Sequence, residues 1–303
     1  MIIVKYRFVF YSIIGVITAL ALGALLLWGI KPGIDFAGGV QVEIRYEGER
    51  PAAALVNEAL GKLGAVEYSA RPSGDAEYII RAHDIPEGAQ ASLAEALSLN
   101  GEYSATVTQL TQIGPSIGAE LQQKAFIALF LVIAGILAFI TFAFRNVSRP
   151  VPSWIYGIIA IVALIHDVIV PVGAFAAMGH FFGVQADALF MTAILTILGF
   201  SIHDTIVVFD RVRENLRLAG DHHSHQEFEG IAGKSLNQTF VRSVNTSLTV
   251  AVSLLALYFF GPVSTQIFAL TLLIGIVAGT FSSIALATPL LVTVANWLGK
   301  RSK

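Results

Sequence analysis

The sequence predicts an α-helical polytopic membrane protein with six transmembrane helices and a small α+β domain of ferredoxin-like type between helices 1 and 2. Three observations carry this. Of 303 residues, 55% are hydrophobic and only 13% charged, with mean hydropathy +0.72, too little polar surface for a water-soluble fold of this length. Six apolar runs are long enough to cross a hydrocarbon core. One long polar stretch, 32–123, lies between the first and second run and shows strand and helix periodicities. The net charge of −2 points to no nucleic-acid partner, and with no cysteine there is no disulfide, Cys-ligated zinc, iron–sulfur cluster or thiol nucleophile.

The first span runs from Phe8 to Ile30, flanked by Lys5, Arg7 and Lys31. It exceeds a signal-peptide core and is read as an uncleaved signal anchor. The second is Ala125 to Phe144, the third about Val151 to Met178, the fourth Ala188 to Phe209, the fifth about Ser243 to Phe260, and the sixth about Ile267 to Leu298. The N-terminal tip, the 145–150 turn, the 211–242 loop and the 299–303 tail together carry 12 Lys/Arg, whereas 179–187 and 261–266 carry none. The positive-inside rule therefore places both termini in the cytoplasm. The 32–123 domain then lies outside, its own bases exempt because long segments translocate regardless of charge. The chain divides into 1–31 (N-terminus and span one), 32–123 (outside domain), 124–298 (spans two to six, with the cytoplasmic loop 211–242) and 299–303 (tail).

In the outside domain, Val40, Val42, Ile44 and Tyr46 alternate as in a strand. Pro51 opens "PAAALVNEALGKLG", with Leu55, Ala59, Leu60 and Leu63 at helical spacing. Strands "AVEYSA" and "AEYIIRAHD" flank a "RPSGD" turn, Pro86 opens a second helix, and "YSATVTQLTQIG" returns as a strand. The order β-α-β-β-α-β is that of a split βαβ sandwich. Residues 31–123 hold 13 acids against six Lys/Arg, read as a solubilising surface. "DFAGG" lacks the spacing of a nucleotide loop. Gly38 and Gly39 are instead expected to permit a tight chain path where span one meets the domain, with Asp35 capping or orienting that junction.

The spans contain polar residues that lipid cannot satisfy. Span three has His166 and Asp167, and span four has His203 and Asp204. Span five carries Arg242, Thr246, Thr249 and Ser253 on one helical face. These faces are expected to turn into a common bundle, with Gly275 and Gly279 of span six as a close-packing pair. Asp210, Arg211, Arg213 and Glu214 read as the cytoplasmic end of span four, which puts Asp204 about 9 Å deeper. A carboxylate that alternates between a desolvated and a cation-paired environment can load and release a proton. An imidazole titrates in the physiological range and can assist. The expected relay is Asp204 with His203 and Arg242, supported by a network of His166, Asp167, Thr246 and Thr249. A static lock of the bundle is the bland alternative.

Two aspartates also raise intramembrane proteolysis, but "FSIHD" and "LIHD" lack the GxGD signature and differ in depth. The "DHHSHQE" loop, with His222, His223 and His225, is read as solvated loop rather than zinc site. No enzyme activity, metal or cofactor is expected.

"GIDFAGG" after span one, "GFSIHDTIVVFDRVRENLR" across the end of span four and "LNQTFVRSVNTSLTV" leading into span five resemble the SecD/SecF family. The resemblance is to SecF-type subunits of bacterial protein export, in the resistance–nodulation–division superfamily. It covers nearly the whole chain, and the "VDAN" signature of SecD is absent. The resemblance implies pairing with SecD into a twelve-span unit. Protons flowing inward would drive movements of outside domains on a preprotein leaving the SecYEG channel. YajC and membrane lipid are further implied partners. The coupling ion is H+, with Na+ as the alternative. The family's span-four aspartate and span-five arginine correspond to Asp204 and Arg242, and its DRxREN signature to Asp210, Arg211, Arg213, Glu214 and Asn215. Asp35, Gly38 and Gly39 belong to its glycine motif. Phe200 and His203 depart from the family's usual Tyr and Asn. The Met1 start reads as a separate subunit rather than a SecD fusion. A passive scaffold and a half-size exporter of lipid or small molecules are the competing functions.

Overall fold

The computed structural model describes residues 2–86, 92–99, 101–143, 151–219 and 225–301. The chain forms two compact units. One comprises Met1–Ile30, Ala128–Phe181 and Leu189–Lys303, the other Lys31–Ile127 together with Phe182–Ala188. The second unit thus recruits the short connection between spans three and four.

Among the described residues, six helices are long and apolar enough to cross a membrane. Span one is Arg7–Trp28, span two Pro115–Ala143, span three Ser153–Phe182, span four Ala188–Ala219 and span five His225–Phe260. Span six runs from Val263 to Arg301, with a π-helical turn at Ser283–Ala287 between two α segments. Helices satisfy every backbone group internally, which hydrocarbon requires.

Three expectations are corrected, two of them in the spans. The described part of the predicted 211–242 loop is helical, because its charges pair along the helix. Arg213 bonds Asp210 at 2.6 Å, and Arg211 pairs with Glu214, each three residues apart. Span two begins ten residues earlier than its apolar run, with the polar "PSIGAELQQK" as its first turns. Residues 144–150, including Arg145 and Arg149, lie outside the described residues.

Spans three, four and six form the interior of the bundle: about half of each apolar window is buried (50–56%), against 6–17% for spans one, two and five. Phe8, Leu26, Phe126 and Phe130 point outward. Inside, Tyr156 meets Phe209 edge-on at 5.3 Å, and Phe175 meets Phe190 at 4.1 Å. Spans one and three touch backbone to backbone, since a Cβ on Gly173 would lie 2.3 Å from the Ala21 carbonyl oxygen.

In the other unit, β1 (Gly39–Tyr46), β2 (Ser69–Ser73), β3 (Glu77–Ala82) and β4 (Ala105–Ile113) form one sheet in the order β2-β3-β1-β4. All neighbouring pairs are antiparallel, the order of a split βαβ sandwich. Strand two lies later than expected. "RPS" is part of β2, and the turn is confined to 74–76. Pro72 is tolerated there because β2 is an edge strand.

Val40, Val42, Ile44 and Tyr46 do share the covered face. They pack with Tyr78 and Ile80 against Val56 and Leu60 of helix Ala53–Lys62 and against Leu93 and Leu97. Part of the helix expected from Pro86 (87–91) lies outside the described residues. Helix Leu93–Leu97 is described.

Tyr46 donates its hydroxyl to the Leu97 carbonyl at 3.1 Å. Burial, helped by neighbouring Tyr78, pushes its phenol up to about 12 from the usual 10.0. A raised folded value means that the folded form holds the proton more tightly. The stabilisation is therefore complete below pH 10.0 and is lost as pH rises toward about 12. Tyrosinate absorbance during an alkaline titration should show one fewer late-ionising phenol in Tyr46→Phe than in the intact protein. A Tyr46→Phe titration matching wild type would refute this.

Candidate functional site

The bundle interior holds two carboxylates in different surroundings. Asp167, in span three, is fully buried. One oxygen meets His166 Nδ1 at 2.8 Å, and the other accepts hydrogen bonds from Ser201 of span four and, at 2.8 Å, from Ser282 of span six. One side chain therefore ties three spans together. With both serines and an Nδ1–H donating, both oxygens of the carboxyl group are engaged by neighbouring side chains. His166 Nε2 is buried and makes no hydrogen bond.

Gly275 and Gly279 of span six make room for this contact. Their missing Cβ atoms would meet Ile197 at 2.2 Å and Ser201 Cβ at 3.0 Å. Gly279→Ala should push Ser201 off Asp167 and destabilise the bundle by roughly 1–3 kcal/mol. An unchanged thermal midpoint in detergent would show that the serine contact has slack.

Asp204 lies one helical turn beyond Ser201 and is 2% exposed. Ser243 and Ser247 of span five lie beside it, and Arg242 is within electrostatic reach. Even so, Asp204 Oδ2 and Ser243 Oγ make no well-formed hydrogen bond. Ser247 instead donates to the Ser243 carbonyl and meets Thr280 of span six. His203 points outward, its ring nitrogen 3.9 Å from Asp204.

His203 and Arg242 thus both bear on Asp204, His203 at 3.9 Å and Arg242 electrostatically from an exposed position on span five, whereas Thr246 and Thr249 bond their own helix. Thr246 and Thr249 donate to the carbonyls four residues back, at 2.9 and 2.8 Å. Their face of span five, with Arg242, Asn245 and Ser253, is largely turned away from the bundle. Helical spacing groups residues on a face, but burial here favours the adjacent face, that of Ser243 and Ser247. On span four, Thr192, Thr196, Gly199 and His203 form a second outward polar stripe.

Asp210, Arg211, Arg213, Glu214 and Asn215 stitch the extended ends of spans four and five. Asn215 donates to Ser235 and Gln238 at 2.8 Å, Arg211 to Gln238 at 2.7 Å, and Arg213 to the Ala143 carbonyl of span two at 3.2 Å. A cleft of about 480 Å³ opens here, lined by Asp210, Arg211, Glu214, Gln238 and Arg242 among others.

In the other unit, Asp35 accepts the Ala188 N–H at 2.7 Å, at the first residue of span four. Gly38 and Gly39 have φ of +79° and +133°, a region that disfavours side chains. Of the histidine loop, His222 and His223 lie outside the described residues, and His225 opens span five.

Sequence reasoning missed Ser201, Ser282, Ser243 and Ser247. Ser282 was findable, because it continues the stripe of Gly275 and Gly279 at helical spacing. The others look like ordinary membrane-helix serines bonding their own backbone.

Comparisons with known proteins agree with this geometry. The model for the SecD/SecF protein export membrane protein, C-terminal, matches residues 93–297, and the SecD/SecF GG motif matches 29–49. The chain is 46% identical over 307 residues to the protein translocase subunit SecF of Thermobaculum terrenum, covering 97% of this chain and 94% of that protein. It is 35% identical over 304 residues to that of Anaerolinea thermophila, covering 98% and 96%. Among solved structures, SecDF from Thermus thermophilus, a translocon-associated membrane protein, superposes with TM-score 0.83 at 29% identity. That match covers 97% of this chain but only 38% of the SecDF chain. SecDF in a super-membrane-facing form matches with TM-score 0.67 at 30% identity.

Proposed function

The chain belongs to the SecD/SecF family of protein-export membrane proteins as a SecF-type subunit, and from that premise we propose that it uses the proton-motive force to assist late preprotein translocation through, and release from, the SecYEG channel. Asp204 is the proton-carrying group, with Arg242 and His203 as its partners in the relay.

The observation that carries this assignment is the contrast between the two carboxylates. Asp167 has both oxygens engaged by neighbouring side chains, whereas Asp204 Oδ2, with Ser243 and Ser247 beside it, makes no well-formed hydrogen bond among the described residues and lies next to two outward polar stripes. In those stripes Thr196, Thr249 and Ser253 bond their own helix, whereas lipid would leave the exposed side chains of His203 and Asn245 unsatisfied. They support docking of SecD across Thr192, Thr196 and His203 on span four and Asn245, Thr249 and Ser253 on span five. The cleft at Asp210 and Arg242 supports a hydrated path between Asp204 and the cytoplasm. The concentration of Lys and Arg supports cytoplasmic termini and an outside α+β domain. YajC, the channel and the emerging preprotein complete the proposed partners.

Asp204→Asn, co-expressed with SecD and checked for assembly, should reduce gradient-stimulated export to the level measured without a gradient. Wild-type stimulation in an assembled mutant would leave the chain a passive scaffold. Replacing H+ by Na+ gradients in reconstituted vesicles identifies the coupling ion. His203→Asn should alter the pH dependence of export. An identical pH profile would remove the imidazole from the relay.

A further inference from the structure

The "GIDFAGG" segment makes a set of contacts that the proton relay does not use. Gly33 donates its N–H to the Ala186 carbonyl at 2.6 Å, and Ala186 donates to the Lys31 carbonyl at 2.8 Å. Pro32 and Ala186 form a parallel bridge. A Cβ on Gly33 would sit 2.7 Å from the Ala186 oxygen, so only glycine permits this approach. Two residues on, Asp35 Oδ2 takes the Ala188 N–H at 2.7 Å. That N–H is among the orphan donors at a helix start, where a carboxylate also meets the positive end of the helix dipole.

The other side of the segment is gripped as closely. A Cβ on Gly38 would lie 2.9 Å from Pro115 Cα, and one on Gly118 would lie 2.9 Å from both Gly38 N and the Phe36 carbonyl oxygen. Residues 34–38 are therefore held between the starts of spans two and four. At Gly39 the chain becomes β1, the strand bonded to both β3 and β4. Arg81 of β3 interacts electrostatically with Asp187 and Asp35. It donates to Gln41 of β1 at 2.8 Å, which brings the sheet's own cation to the same place.

Span four then runs 32 residues without a proline, and it carries Asp204. The 16 residues from Ala188 to Asp204 make a rod of about 24 Å. We propose that Asp35 is a positioning residue: by capping Ala188 it clamps the outer end of span four to the root of β1, so that displacement of the helix bearing Asp204 is delivered to the α+β domain. The clamp rests on the proton-relay assignment above. It adds a coupling element remote from the proton, one that should separate ion movement from domain movement.

The absence of cysteines makes the test direct. A single Thr106→Cys on exposed β4 carries a fluorophore or spin label, in the full chain assembled with a cysteine-free SecD in vesicles. Proton flux, the gradient-driven change in label signal, and hydrogen exchange at Ala188 and Leu189 are read together. Asp35→Ala should keep Asp204-dependent flux, lose the label response, and raise exchange at Ala188 by about tenfold, the scale of a lost cap. Asp35→Asn retains an acceptor oxygen and should keep at least half of the label response.

Wild-type flux with an undiminished label response in Asp35→Ala overturns the clamp alone. Unchanged exchange at Ala188 overturns the cap on which it depends. Should Asp35→Ala fail to assemble, Asp35→Asn decides: a label response lost there despite normal flux excludes the hydrogen bond as the cause. Absence of Asp204-dependent flux in the wild type overturns the relay, and the clamp with it.

Discussion

Asp167→Ala is expected to destabilise the bundle by about 3–5 kcal/mol, the scale of breaking a buried charged network by removing one partner. The substitution removes at once the acceptor of Ser201 and of the His166 imidazole and one of the two acceptors of Ser282, whose hydroxyl also reaches the Gly279 carbonyl at 3.0 Å. All three residues are buried, so no solvent replaces the lost oxygens. Asp167→Asn separates structure from ion transfer. Its carbonyl can still accept from the serines, and its amide can donate to His166 in the other tautomer. Stability within about 1 kcal/mol of wild type is expected for it, with export retained. Thermal unfolding in detergent and an export assay decide the matter. A wild-type midpoint for Asp167→Ala would mean that the three-span knot carries no stability. Loss of export in a stable Asp167→Asn would move Asp167 from knot to proton path.

Gly173→Val should be the most damaging single change in the apolar interior. The added Cβ would lie 2.3 Å from the Ala21 oxygen and 2.5 Å from its Cα. These are backbone atoms of span one, and no rotamer change relieves the overlap. Spans one and three must part, and the cost should reach or exceed the upper end of the roughly 1–3 kcal/mol usual for overpacking. Gly15→Ala and Gly135→Ala are the controls, since nothing lies within 4 Å of the added atom. Each should be neutral or stabilising by up to about 1 kcal/mol. Comparable midpoints for Gly173→Val and the controls would show that the crossing is looser than the contact distances imply.

Apolar length alone announced the six spans, because hydrocarbon thickness leaves few other uses for such runs. The period-2 alternation at Val40 to Tyr46 likewise announced the covered face of β1. Rotation of a helix about its axis was less legible. Arg242, Thr246 and Thr249 do share a face, but the wheel does not say which face turns inward. Only packing against span four shows that Ser243 and Ser247 do. The charged run after Asp210 read as a loop because charge density marks departure from lipid, which a helix survives when its charges pair at three-residue spacing. Asp35 was legible as a cap, but not what it capped. Its partner Ala188 is 153 residues away, and no local pattern carries such a contact.

The π-turn at Ser283–Ala287 has a consequence for how this chain tolerates change in length. A π-turn holds more residues per turn than the α-helix around it. A helix containing one can therefore lose a single residue there and become regular, whereas elsewhere a deletion tears the ladder. The remaining helix, Thr288–Arg301, would keep nearly the same side toward Val212 and Phe228 in the shared core, because five residues at π spacing and four at α spacing turn through nearly the same angle. One codon at this point behaves as slack in the reading of length, so variants lacking one residue between Gly279 and Pro289 should be scored as shortenings that keep the C-terminal helix aimed as before, whereas the same loss elsewhere in the helix is a rotation.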